Sequence, residues 1–261
     1  MKKEQTKITD TIMPAEEDLL VGITIGCVIF GFKDETLKIL LNKYKIGEKW
    51  LLPGGFIFKE EDVDNAACRI LRIRTGLENV FLRQFYLFGN RERTNTEDSL
   101  LLLKNFNIED KDHWFVDRSL KLGYYALVKQ EEVLINKDTK VESIKWFDID
   151  DLPPLYADHY EIINKALATI RVQLGYIPLG FELLPEKFTM PELRSIYEAI
   201  VGKELDRRNF QRKMLSIGLI NRLNEKKKKG AHKSPYLYAF NKEKYEQALK
   251  SGIQLMAWNI Q

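Results

Sequence analysis

The chain has 261 residues, 44% hydrophobic and 30% charged, a composition that describes a soluble globular protein of one large or two ordinary domains. Its net charge of +3 is unevenly spread: residues 203–233 hold eleven Lys/Arg against three Asp/Glu, behind an acidic front, so the two parts are expected to do separate jobs. Two cysteines and three scattered histidines exclude a disulfide framework and a His/Cys metal cluster, and the most apolar run, VGITIGCVIFGF at 21–32, is too short and glycine-rich to cross a bilayer. Cys27 and Cys68 lie in apolar segments and are expected as buried free thiols. The polar stretch MKKEQTKITDTIMPAEED lacks a secretory core, so a cytoplasmic protein without a membrane partner is expected.

Residues 1–19 are expected as a flexible arm. The Val, Ile and Phe content of 21–32 predicts a buried strand, DET at 34–36 a turn, and LKILLNKY at 37–44 the returning strand of a hairpin. In LLPGG, Pro53, Gly54 and Gly55 predict a loop. From 62 to 75, Val63, Ala66, Ala67, Ile70 and Ile73 recur at helical spacing, and Gly76 stands where a left-handed residue ends a helix. VFLRQFYLFG (80–89), LKLGYYALVK (120–129) and VESIKWFDI (141–149) predict strands. Residues 90–113, NRERTNTEDSLLLLKNFNIEDKDH, break that rhythm and read as a long loop or insertion. Pro153 and Pro154 stop the sheet region, and HYEIINKALATIRVQL (159–174) is an amphipathic helix. Strands and helices mixed without a βαβ repeat predict an α+β domain over residues 20–176.

The stretch GGFIFKEEDVDNAACRILRIRTGL carries Gly55, Glu61, Arg69, Leu71, Gly76 and Leu77 at the spacing of the signature G-x5-E-x7-R-E-U-x-E-E-x-G-U, with U apolar. It resembles the signature of Nudix hydrolases, which cleave a nucleoside diphosphate linked to another group. There, glutamates on one helix face hold a divalent metal that neutralises phosphate and activates water. Here Ile70, Ile73 and Arg74 stand in place of the three helix glutamates, so no metal site and no hydrolysis are expected. Glu60, Asp62 and Asp64 suit a helix N-terminus. The old cleft remains able to bind a small molecule. A polyanion would need arginines, with Arg69, Arg72, Arg74, Arg91 and Arg93 available; a sugar would need polar groups and a flat wall from Trp50, Phe56, Phe58, Trp114, Tyr124 or Tyr125.

A second unit is expected over 177–261. In FTMPEL, Thr189 and Glu192 form a capping box with Pro191 in the first turn, and Gly202 ends that helix after Leu193, Ile196, Tyr197 and Ile200. Asp206 caps the next helix, whose apolar face is Phe210, Met214 and Ile217 and whose end is Gly218. NEKKKKGAHK turns between two strands, the second being SPYLYAF. Helix, turn, helix and a hairpin with a basic tip predict a winged helix-turn-helix. Arg207, Arg208, Asn209, Gln211, Arg212 and Lys213 would face the major groove, where Arg reads guanine and Asn or Gln reads adenine. Lys226, Lys227, Lys228, Lys229, His232 and Lys233 would touch phosphates from the wing.

The whole chain resembles the Nudix-related transcriptional regulators, through LLPGGF, residues 66–77, GYYAL, LPPLYADH, FTMPELRSIYEAI and LDRRNFQRKML. The resemblance implies a Nudix-like α/β/α sandwich with a mixed sheet that senses an effector, and a homodimer on a palindromic operator. The effector expected is a pentose such as L-arabinose or xylose, linked to sugar metabolism. The alternatives are ADP-ribose with control of NAD metabolism, or a divergent metal-dependent hydrolase. No cofactor is expected, and the effector is placed at Lys43, Gly54, Gly55, Phe56, Glu61, Arg91 and Tyr124.

Overall fold

The computed structural model describes residues 16–78, 80–134, 141–174, 183–227 and 234–251. The chain divides into two compact units, one ending at residue 166 and excluding 32–37, the other made of 32–37 and 167–261. Of the expected N-terminal arm, residues 1–15 lie outside the described residues; 16–18 form a single 3-10 turn and Leu19 already begins a strand.

The first unit is built on a six-stranded sheet. Its strands are β1 (Leu19–Lys33), β2 (Thr36–Tyr44), β3 (Gly54–Phe58), β4 (Leu82–Phe88), β5 (Leu120–Lys129) and β6 (Val141–Asp148), in the order β4-β5-β1-β2-β6 with β3 paired to β1. β1 and β2 form the expected hairpin. Asp34 and Glu35 both take positive φ, 51° and 63°, as a two-residue turn with the twist of its strands requires. β3 corrects the expected loop at Gly54 and Gly55. Both glycines are strand residues, paired antiparallel with Gly26 and Ile25. A Cβ on Gly54 would lie 2.5 Å from the Ile25 carbonyl oxygen, so the missing side chain permits strand contact rather than a turn.

Helix α1 (Val63–Thr75) ends at Gly76, whose φ of 69° is the left-handed conformation expected there. Its Ala66, Ala67, Ile70 and Leu71 join a core with Ile25, Cys27, Ile29, Leu40, Ile57 and Ala126 of the sheet. The core stripe leaves Cys68 on the opposite face. Cys68 is therefore exposed, against expectation, while Cys27 is buried, and burial pushes its thiol up to about 12. The segment 90–113 is also not a plain loop, because it contains helix α2 (Thr96–Lys104). Asn95 caps it by accepting the Asp98 N–H at 3.0 Å, and Leu103 and Ser99 are buried. Helix α3 (His159–Gln173) buries Ile162, Ile163 and Ala166, which are not part of the core that α1 joins on the mixed sheet.

The second unit holds α4 (Met190–Val201), α5 (Arg207–Ser216), α6 (Lys242–Ser251) and a small sheet of β7 (Phe188–Thr189), β8 (Ile220–Lys226) and β9 (Tyr236–Phe240), ordered β7-β9-β8. The capping box forms as read: Glu192 Oε2 accepts the Thr189 N–H at 2.7 Å, and Thr189 Oγ1 accepts the Glu192 N–H at 3.4 Å. Asp206 Oδ1 accepts the Asn209 N–H at 2.8 Å, so α5 starts where its sequence says. Gly202 and Gly218 follow their helices with φ of 77° and 75°. Tyr197 and Phe210 pack edge to face at 5.2 Å and join α4 to α5, while Phe188 and Phe240 meet at 4.9 Å across the sheet.

Gly54→Ala should lower the melting temperature, because strand backbone blocks the new methyl. An overpacking cost of about 1–3 kcal/mol corresponds to roughly 2–12 °C at this size. Thermal unfolding by circular dichroism measures it, and an unchanged midpoint would contradict the β1–β3 register.

Candidate effector cleft and nucleic-acid interface

The loop between β3 and α1 is fastened by one ion pair. Glu61 Oε1 accepts the Phe58 N–H at 2.8 Å, and Glu61 Oε2 accepts from Arg69 Nε at 3.0 Å. Arg69 Nη2 reaches both Glu61 Oε1 and, at 2.7 Å, the Phe56 carbonyl, while its guanidinium lies 4.2 Å from the Phe58 ring centroid. Both oxygens of Glu61 are thus committed within the loop. On the helix behind it, Ile70 packs beneath Gly55, where an added Cβ would lie 3.0 Å from Ile70 Cγ1. Arg74 is buried and donates to the Tyr44 hydroxyl at 3.2 Å. A divalent magnesium or calcium ion needs several oxygen ligands. This helix face offers isoleucine and a buried guanidinium instead, and the residues do not fit such an ion.

Beside this loop, β1, β3, β5 and the start of α3 enclose a cavity of about 70 Å³. Gly54, Gly55 and Phe56, three of the residues proposed for the effector, line it. The other proposed effector residues do not. Lys43 is drawn to Glu48 at 3.2 Å and Glu142 at 3.4 Å, and Arg91 is exposed. Glu61 is held by Arg69, and the buried Tyr124 donates its hydroxyl to Asp64 Oδ1 at 2.6 Å. In their place the cavity gathers Thr24, Tyr44, Lys121, Tyr156 and His159, with Leu102, Phe106 and Phe115 contributed by the 90–116 region. The sequence contained a sign for two of these. Lys121 is the one cation among apolar residues in LKLGYYAL, and His159 begins a helix directly after a proline-stopped loop.

The polar residues around the cavity are tightly determined. His159 is 3% exposed, and its Nδ1 accepts the Leu52 N–H at 3.0 Å. Burial, reinforced by the Lys121 and Arg93 cations, holds its pKa well below the ordinary histidine value. The ring is therefore neutral with its proton on Nε2, and that N–H has no partner among the described residues. Burial pushes the Lys121 ammonium down to about 8, with Arg93 adding repulsion and Asp158 partly opposing it. Arg93 itself is neutralised: Asp158 accepts from its Nε at 2.9 Å and from its Nη2 at 3.0 Å, and the Ser119 carbonyl accepts from Nη1 at 2.8 Å.

In the second unit, Arg207, Arg208, Asn209 and Arg212 are exposed on α5, as the DNA-facing reading requires. Gln211 and Lys213 are half-buried. Gln211 Nε2 donates to the Tyr238 hydroxyl at 3.4 Å, and Arg212 donates to Asn209 Oδ1 at 2.9 Å. On the hairpin, Lys227 pairs with Glu192, the capping-box glutamate, while Lys226 remains exposed beside the Tyr236 ring at 4.9 Å. Lys228, Lys229, His232 and Lys233 lie outside the described residues. Between α4, α5 and the hairpin runs a groove of about 810 Å³ whose charged lining is Arg194, Arg207, Arg222 and Lys226, without a carboxylate. Arg222, stacked 3.6 Å from the Tyr236 ring centroid, and Arg194 extend the basic face beyond the residues read from sequence.

A mixed-sheet fold with a Nudix loop and helix, joined to a winged helix whose second helix is basic, defines a DNA-binding regulator built on a Nudix-like domain. Comparison with known proteins agrees: a NUDIX domain profile matches residues 21–166, and the profile of the NrtR DNA-binding winged helix domain matches 180–240. The chain belongs to the Nudix family and, within it, to the Nudix-related transcriptional regulators. It is 28% identical over 235 residues to the ADPR responsive transcriptional repressor NtrR of Acinetobacter baylyi, covering 86% of this chain and 84% of the relative. The NrtR crystal structure from Shewanella oneidensis has a TM-score of 0.67 at 24% identity, over 86% of this chain and 96% of that one. The same protein with a 27mer DNA gives 0.68 at 24% identity, over 86% of this chain and 95% of that one. Among the described residues, no helix is long and apolar enough to cross a membrane.

The Arg93–Asp158 pair sets a stability test, since the two side chains are only 4% and 7% exposed. Asp158→Asn strands a buried guanidinium and should cost about 3–5 kcal/mol. Asp158→Leu with Arg93→Met removes both charges and should recover most of that loss. Urea unfolding of the two variants makes the comparison; equal losses would mean the pair is not buried together.

Proposed function

We propose that this protein is a transcriptional repressor that senses ADP-ribose: the Nudix-like cleft binds the nucleotide without cleaving it, and occupancy changes the affinity of the winged helix for its operator. The observation that supports non-cleaving binding is the helix face behind the loop, where Ile70, Ile73 and the buried Arg74 stand at the positions of the signature's glutamates. The loop and helix keep the form of a diphosphate site without the oxygen ligands of a metal. The ADPR-responsive Acinetobacter relative supports the identity of the effector and the repressor role. Nothing in the comparisons supports the pentose expectation, or the role in sugar metabolism that came with it, and ADP-ribose replaces it. A DNA-bound regulator of this kind works in the cytoplasm.

For DNA, Arg207, Arg208 and Asn209 at the exposed N-terminal half of α5 are the proposed base readers. Arg222, Lys226 and Arg194 line the adjoining groove, where a phosphate strand is the matching partner. A homodimer on an inverted repeat completes the reading, protein symmetry matching operator symmetry.

Two measurements test this function. Incubated with ADP-ribose and Mg²⁺ or Mn²⁺, the protein should release no AMP, and ADP-ribose should weaken its hold on operator DNA in a gel-shift titration; turnover abolished by Glu61→Gln would establish a hydrolase instead. Arg207→Ala and Arg208→Ala should each cost roughly 1–3 kcal/mol on operator and little on unrelated DNA. Lys226→Ala should weaken both alike and reduce the salt slope by about one. Unchanged operator binding in all three variants would overturn the placement of the DNA surface.

A further inference from the structure

We propose that Lys121 and His159 form an anion subsite at the floor of the Nudix-like cleft, built to take one phosphoryl group of the effector. This assignment rests on the effector reading above and deepens it, because it moves the phosphate recognition away from the signature helix and onto β5 and α3.

Four observations carry it. First, the cavity holds a buried donor with nothing to donate to. His159 is 3% exposed, its Nδ1 is occupied by the Leu52 N–H, and its Nε2–H has no partner among the described residues. A buried polar group without a partner costs free energy unless something fills the position. Second, Lys121 lines the same cavity and has no carboxylate within 4 Å among the described residues. The nearest buried carboxylate, Asp158, is spent on Arg93 through two hydrogen bonds. The cavity therefore carries one uncompensated positive charge and a neutral N–H donor, with no carboxylate in its lining.

Third, the lysine is positioned. Its stem lies over Gly26, where an added Cβ would sit 3.0 Å from Lys121 Cδ. Gly26 in turn faces Gly54 across the β1–β3 pair. Two facing glycines leave a floor without side chains, and the lysine stem crosses it. Fourth, the size suits a fragment. A volume of about 70 Å³ exceeds the roughly 10–15 Å³ that a single water needs, which leaves room for one oxyanion. The rest of the ligand would lie toward Phe56, Phe106 and Phe115, which offer aromatic faces for stacking.

An ammonium beside a neutral N–H donor recognises an oxyanion and offers a neutral sugar little to donate to. A terminal phosphate, a diphosphate and free inorganic phosphate share this chemistry. The test is isothermal titration of the full-length protein with ADP-ribose, ribose 5-phosphate, inorganic phosphate and adenosine. Wild type should bind ADP-ribose, and Lys121→Met should weaken that binding at least tenfold while leaving the circular dichroism spectrum unchanged. His159→Phe should weaken it as well, and adenosine should be indifferent to both changes.

The wild-type pH profile gives a readout that needs no variant. The titratable groups around Lys121 are Arg93, Asp158, His159, Cys27, Tyr44 and Tyr156; of these, His159 is already neutral at pH 7, and burial holds the protons of Cys27 and Tyr156 to about 12. The free Lys121 loses its proton near pH 8, so ADP-ribose affinity should fall as pH rises from 7 to 9. Lys121→Met should abolish that slope. If wild type binds ADP-ribose and Lys121→Met binds it equally, the subsite is wrong and the effector stands. If wild type ignores ADP-ribose but binds phosphate or ribose 5-phosphate in a Lys121-dependent way, the subsite stands and the effector is wrong. Binding of none of these ligands overturns both.

Discussion

The Glu61–Arg69 pair fastens the loop on which the Nudix-like cleft is built. A carboxylate in that loop has about four lone-pair sites, and three of those of Glu61 are taken by hydrogen bonds within the loop and helix. Here Glu61 takes the Phe58 N–H and the Arg69 guanidinium, and Arg69 also holds the Phe56 carbonyl. The β3–α1 connection is therefore fastened by protein groups alone. The helix positions that would have completed a metal shell are free to serve packing, and Ile70 does so beneath Gly55. Charge-assisted hydrogen bonds of this kind are among the stronger ones in proteins. The fastening of the loop does not involve Ile70, Ile73 or Arg74.

Removing a metal from a diphosphate site leaves an electrostatic deficit. A divalent ion supplies two positive charges close to the phosphates. Among the arginines near the signature helix, Arg69 and Arg74 are already engaged, and Arg93 is neutralised by Asp158. Lys121 is the cation left without a carboxylate partner at the cavity. The cost of holding an ammonium partly out of water shows in its depressed pKa. Perturbed ionisable groups cluster at functional sites, and the depressed Lys121 ammonium accords with the proposed recognition.

How far the chain was legible depended on whether a feature was local. Caps and helix ends were readable because their chemistry spans three or four residues. Thr189 with Glu192, Asp206 with Asn209, and the left-handed Gly76 and Gly202 all form as their spacing implies. Gly54 and Gly55 were misread because a glycine pair has two local uses, turning or permitting close strand contact, and only the Ile25 carbonyl opposite decides between them. The helix at 96–104 was hidden by a run of four leucines without helical alternation, although Asn95 offered a cap. Lys43, Glu61, Arg91 and Tyr124, four of the residues proposed for the effector, do not line the cavity. Lys43 and Tyr124 are conspicuous in sequence, yet each finds a partner from a distant segment, Glu142 for one and Asp64 for the other. Lys121 and His159 were overlooked because a lone cation in a strand and a lone histidine gain meaning only from the cavity they share.

Binding without cleavage, as proposed above, also suits regulation. A hydrolase destroys the molecule it meets, so its occupancy reports turnover as well as concentration. A site that binds without cleaving comes to equilibrium, and its occupancy follows ligand concentration alone. The effector can then shift the DNA-binding equilibrium only by its difference in affinity for the two states of the protein. Coupling of 1–3 kcal/mol is typical of such systems. One charge-assisted contact made in one state and lost in the other is worth a comparable amount. A single phosphoryl group on Lys121 is thus an energetically sufficient signal, with no contribution required from a metal or from bond cleavage.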